Sequence, residues 1–164
     1  MDLGPKAWNA EGPILAEVFP VWLHDETIEL AAACGPAPCL LHVSPEEHPV
    51  EVVDRAVRDV LGEPVLIHST SWRRDRDAVV LTFVVVIRSD QVADLQGVPV
   101  ARAELARSDA TAPPRTIDHC QVLEHGLRHL AWLAADDAVV AGVLPDGWRR
   151  ALSKYAPEPF RALG

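Results

Sequence analysis

Histidine spacing carries the strongest chemical signal in this chain. His125 and His129 are four apart in a stretch that reads as one long helix from about Asp118 to Asp136. At roughly 100° per residue, Leu123, Leu127, Leu130 and Ala134 form one face, and Asp118, His125, His129, Trp132 and Asp136 gather on the other. Two imidazoles one turn apart can point at one ion, with Asp118 two turns earlier on the same stripe, so His125, His129 and Asp118 are the metal-ligand candidates. No His-Glu-x-x-His signature accompanies them, and no metal is assigned. A tryptophan between histidines and acids instead suits a ridge that binds a ligand or partner, made of His125, His129 and Trp132.

A second candidate lies on the strand expected over Val65 to Trp72. Strict alternation puts His68, Thr70 and Trp72 on the side of Leu66, where His68 and Trp72 would offer a polar anchor and an aromatic wall to a planar ligand. Cys34, Cys39 and His42 form C-x4-C-x2-H, with His119 and Cys120 as distant additions. That spacing is longer than a zinc knuckle pair and contains two prolines, so small buried thiols account for it more simply. There is no Gly-rich phosphate loop, no G-x-S-x-G elbow and no G-x-G-x-x-G, which excludes the enzyme classes built on them.

The elements that must position these residues follow from periodicity. Ile14 to Leu23 and Thr27 to Ala33 read as a hairpin, with Pro20 favouring an edge strand or a bulge, and Cys39 to Val43 as a third strand. Ser44, Pro45 and Glu47 make a capping pattern, and Pro49 shifts the regular helix to begin at His48 and Pro49. Val50, Val53, Val57 and Val60 or Leu61 give that helix its apolar side, Glu51 with Arg55 and Asp54 with Arg58 its four-apart ion pairs, and Gly62 its end. Val65 to Trp72 and Ala78 to Arg88 form a hairpin around the charged loop Arg73 to Asp77, the second strand lying centrally because it is almost continuously apolar. A weak strand is expected within Val98 to Ala106 and a loop over Ser108 to Thr116. After the long helix come a shorter one through Leu144 and a last one from Trp148 to Ala156.

Strands, a capped helix ending in glycine, two more strands and a terminal helix resemble the Nudix fold, whose helix carries a pyrophosphatase signature. Placing Gly62 at the last glycine of that signature puts Glu47 at its early glutamate, Arg55 at its arginine, Val57 at its apolar position and Asp59 at one of its acids. The resemblance covers roughly half the chain and implies an α/β (α+β sandwich) class: a mixed sheet flanked by the amphipathic helix and the C-terminal helices. It also implies magnesium and a phosphoanhydride hydrolase, with Glu47, Glu51 and Asp59 holding the ion. The signature's leading glycine is here Leu41, and two of its acid positions are Ala56 and Val60. The resemblance therefore points to a non-catalytic domain that binds a small-molecule ligand or a protein, with no cofactor; the hydrolase with Mg, and a structural or assembly subunit, are the alternatives.

Composition sets the outer limits. At 164 residues, 49% hydrophobic and 24% charged, a single globular domain over residues 1–164 is expected, with disorder excluded. The net charge of -9 argues against nucleic acid and anionic membranes as partners, while homo-oligomer formation stays open. Ten acids and one base lie within residues 1–54, and the remainder carries fourteen of each. No leader-like segment opens the sequence and the cysteines number three, so a cytoplasmic protein with reduced thiols is expected. Thirteen arginines against two lysines suggest a GC-rich bacterial source.

Overall fold

The computed structural model describes residues 12–31, 38–104 and 117–155. Six strands, β1 (Ile14–His24), β2 (Thr27–Ala31), β3 (Cys39–Val43), β4 (Pro64–Asp75), β5 (Ala78–Ile87) and β6 (Gly97–Pro99), form one mixed sheet. Its order is β4-β5-β1-β2-β6, with β3 also paired to β1. The helices are α1 (Pro49–Leu61), α2 (His119–Asp136), α3 (Ala138–Val143) and α4 (Trp148–Leu152).

Contrary to expectation, β1 is central. It runs parallel to β5 from Ile14 to Val21, and its other edge carries β3 as far as Val18 and β2 from Val21 onward. Phe19 and Pro20 fall between those two antiparallel partners, so the donor that proline lacks is not missed on that edge. β5 lies centrally, as its apolar run predicts.

Alternation along β1 and β5 builds two cores. Ala16, Val18, Trp22, Phe83, Val85 and Ile87 meet Val52, Val53, Val57 and Leu61 of α1 on one face. Phe19, Val21, Val84 and Val86 meet Leu123, Leu127, Leu130 and Trp148 on the other. The helix α1 is capped by His48, has Pro49 in its first turn and stops at Gly62, whose φ of 88° lies in the left-handed region. Of the alternatives Val60 and Leu61 it is Leu61 that is buried, and one expected core position is corrected: Val50 is exposed at the start of the helix, where Val52 takes the inward position instead. Among the described residues the strand expected in Val98 to Ala106 is the short Gly97–Pro99, while positions 105–106 and the expected loop Ser108 to Thr116 lie outside them.

Gly126 sets how closely α2 approaches the sheet. A Cβ there would lie 2.6 Å from Cγ2 of Val84, a fully buried residue of β5 beneath α2. Alanine gains helix propensity of about 1 kcal/mol over glycine, yet forced overlap in a packed core costs about 1–3 kcal/mol. Gly126→Ala is therefore expected to lower the urea midpoint; an unchanged or raised midpoint would contradict so close an approach.

Candidate functional site

The strand face and the helix ridge read separately from sequence meet at one seam. Gly126 brings α2 onto β4 and β5, where Thr70 Cγ2 is also within 3.3 Å of its notional Cβ. One turn further, His129 Nδ1 reaches His68 Nε2 at 3.0 Å. The two rings have centroids 4.8 Å apart with planes at 55°. The ring of Trp132 stacks on His129 at 5.7 Å, with an interplanar angle of 7°. Trp132 remains 46% exposed, which leaves indole surface available for contact. Thr70 Oγ1 is buried without a hydrogen-bond partner among the described residues, a further polar group at this layer.

Burial favours the neutral form of two of the histidines near this seam, His68 and His125. Burial pushes the His68 imidazole down to about 4, with the nearby His129 acting in the same direction. The His125 imidazole is also lowered, first by desolvation and then by His129 and Arg128. Near pH 7, His68 therefore offers lone-pair and N–H chemistry without charge.

Trp72 does not join this seam. The β4 register shifts between Ser69 and Ser71, so strict alternation fails at Thr70. His68 opposes Val84, in the core beneath α2, whereas Trp72 opposes Leu81, which packs with the α1 core, and is 69% exposed. Asp118 is also elsewhere: it is the N-cap of α2 and accepts from the Cys120 amide at 2.7 Å. Among the described residues, no group of three or more His, Cys, Asp or Glu is placed to hold a metal ion. Cys39 is disulfide-bonded, which takes its thiolate from zinc chemistry and corrects the expectation of reduced thiols at that position, while Cys120 is free. Cys34 lies outside the described residues.

The carboxylates of Glu47, just before α1, and of Glu51 and Asp59 on it fit magnesium poorly. Glu47 accepts from Arg55 at 2.7 Å and from the Ser44 amide at 3.4 Å, and these bonds hold its carboxyl below the usual range. Arg55 therefore pairs with Glu47 in place of the expected Glu51. Glu51 and Asp59 are exposed and join no three-residue ligand group. A magnesium ion needs several oxygens converging on one point. Asp54 and Arg58 make the expected four-apart pair at 2.8 Å.

Two buried acids escape any motif search. Glu17 is fully buried on β1 and accepts from Arg73 at 2.5 and 2.7 Å, from Thr82 at 3.0 Å and from His119 at 3.0 Å. Burial alone would raise its carboxyl, but Arg73 above all, then Thr82 and His119, hold it lowered. Glu124 is fully buried on α2 and accepts from Arg102 and Arg128, each as close as 2.8 Å. Arg102 also donates to the Lys154 carbonyl and covers the Tyr155 ring at 4.4 Å. The signal available in sequence is a polar residue interrupting each apolar strand: Glu17 in β1 and Thr82 in β5 stand in register. Arg73 is thereby committed to Glu17, leaving Arg74 near the end of β4 and Arg76 in the turn as the exposed cations of this hairpin.

No protein-family profile matches the chain, and no curated protein matches it. Seven chains of solved structures do. Among them is Shewanella oneidensis NrtR, solved in complex with a 27mer DNA, at TM-score 0.57 and 14% identity, over 89% of this chain and 78% of that one. At this identity the likeness is one of fold. It overturns one expectation: since a protein of this fold is solved with DNA bound, a net charge of -9 does not exclude nucleic acid, because a global charge leaves local surfaces undetermined. Among the described residues no helix is long and apolar enough to cross a membrane. The architecture is a mixed α+β sandwich of Nudix-like fold.

Proposed function

We propose that this chain is a non-catalytic ligand-binding domain, and that the seam between β4 and α2 takes a planar heteroaromatic ligand against Trp132. One observation carries this reading: His68, His129 and Trp132, from two elements, form a continuous contact whose outer ring stays partly exposed. Stacking on the indole supplies attraction, and the uncharged His68 imidazole supplies directional hydrogen bonding. The hydrolase alternative draws less support, because Glu47 is engaged by Arg55 and the other two acids do not converge with it.

Titration with adenosine and adenosine diphosphate, with Mg2+ present and tryptophan fluorescence as readout, tests this. Saturable binding is expected, weakened about tenfold by Trp132→Ala, consistent with about 1–3 kcal/mol per stacked base. No phosphate should be released. Absence of saturable binding, full affinity in the Trp132→Ala chain, or phosphate release that disappears in Glu47→Gln would overturn the proposal. An assembly role for Trp132 predicts instead a sedimentation change in the same variant without ligand.

A further inference from the structure

Strand β4 ends the sheet on one side, and among the described residues its outer edge pairs with nothing. Such an edge presents a row of backbone N–H and C=O groups that a second strand can take up, and proteins ordinarily blunt it. The register shift between Ser69 and Ser71 interrupts the edge midway along β4. Beyond it, Ser71 to Asp75 pairs regularly with Thr82 to Ala78 of β5, and Trp72 stands exposed in the middle of that stretch. A large indole beside an open edge, next to an exposed arginine at Arg74, is the kind of anchor on which protein contacts concentrate.

We propose that two copies of this chain join antiparallel through residues 71–75 of β4, with a two-fold axis at Arg73, so that their sheets continue into one another. The side chains are self-complementary in this register. Trp72 and Arg74 lie on the α1 side of the sheet, since Trp72 opposes Leu81, whereas Ser71, Arg73 and Asp75 lie on the other side, where Arg73 reaches Glu17. Pairing about Arg73 sets Trp72 opposite Arg74 of the partner subunit and Arg74 opposite Trp72 of the partner subunit, a cation–π contact made twice. It also sets Ser71 opposite Asp75 of the partner subunit, so that a hydroxyl donates to a carboxylate on each side of the axis. At the axis the two Arg73 side chains do not repel, because each is already neutralised by its own fully buried Glu17. Neighbouring registers lose this match. An axis at Arg74 sets face to face two exposed guanidinium groups that no ion pair among the described residues neutralises, and an axis at Trp72 sets Arg74 against the irregular stretch around Thr70. Five residue pairs make a small contact, so the dimer is reversible. The seam at His68 lies on the other side of the register shift, and the dimer does not depend on a ligand binding there.

Sedimentation of the full chain over a series of concentrations, joined to amide hydrogen exchange, provides the test. A monomer–dimer equilibrium is expected, with exchange slowing at residues 71–75 as concentration rises. Trp72→Ala should weaken association about tenfold, because the contact it removes occurs twice. Both Trp72 and Arg74 are exposed, so the fold should survive their replacement, as circular dichroism would show. Charge then reads the register: Arg74→Glu should abolish association, whereas Trp72→Glu, which sets a carboxylate opposite Arg74 of the partner subunit, should associate more tightly than Trp72→Ala. Trp132→Ala should leave the equilibrium unchanged. A chain that stays monomeric throughout, a dimer indifferent to Trp72→Ala and Arg74→Glu, equal loss in Trp72→Glu and Arg74→Glu, or a dimer lost in Trp132→Ala would each overturn the proposal.

Discussion

Replacing Glu17 by alanine is expected to destabilise the fold by about 3 kcal/mol, the lower end of the cost of breaking a buried ion pair. The carboxylate is fully buried, and its removal strands the Arg73 guanidinium, the Thr82 hydroxyl and His119 together. Arg73 keeps 21% side-chain exposure, so water relieves part of its lost pairing, which places the effect at that lower end. Glu124→Ala should cost less, because Arg102 is 48% exposed and can rehydrate. Joint replacement of Glu17 and Arg73 by leucine and methionine should recover much of the loss, since an apolar pair of similar volume avoids desolvating two charges. Urea unfolding of the three variants measures this through the midpoint at constant slope. A Glu17→Ala loss below about 1 kcal/mol would show that the cluster is not buried as described.

The second large effect is on acid stability. The His68 imidazole titrates at about 4 in the folded chain against an ordinary 6.5. Between those values the unfolded chain holds a proton there that the folded chain does not, so stability rises with pH across this window. It is complete above about pH 6.5 and is lost as pH falls towards 4. His125 is lowered as well and adds in the same direction. Glu17 and Glu124 act in a more acidic range: both are held below 4.5, so their stabilisation is lost as pH falls from about 4.5 through their lowered folded values. His68→Leu should therefore flatten the stability profile between pH 6.5 and 4.5 while leaving the steeper fall below it. An unaltered slope in that variant would show that the ring is not desolvated at the seam.

The regular elements were legible because their physics is local. The alternating apolar runs, the proline at the start of α1 and the glycine at its end each act within a few residues. The histidines were legible as types, and their two groups were expected on separate surfaces; it is the close approach at Gly126 that joins His68 to His129. The placement of Trp72 failed for one physical reason, a bulge near Thr70 that resets the side on which later residues emerge. Glu17 was missed because its partners lie 56, 65 and 102 residues away, and no pattern in sequence spans such intervals. The central position of β1 was missed for a related reason: Pro20 suits an edge, yet falls where the strand changes partners.

Ring and indole N–H resonances followed during titration with adenosine diphosphate in the presence of Mg2+ bear most directly on the seam as the binding surface. The account predicts concerted, saturable shifts of Trp132, His129 and His68, with α1 unchanged and the diphosphate intact. Shifts centred on Glu47 and Arg55 with release of phosphate, or no saturable shift at Trp132, would contradict it.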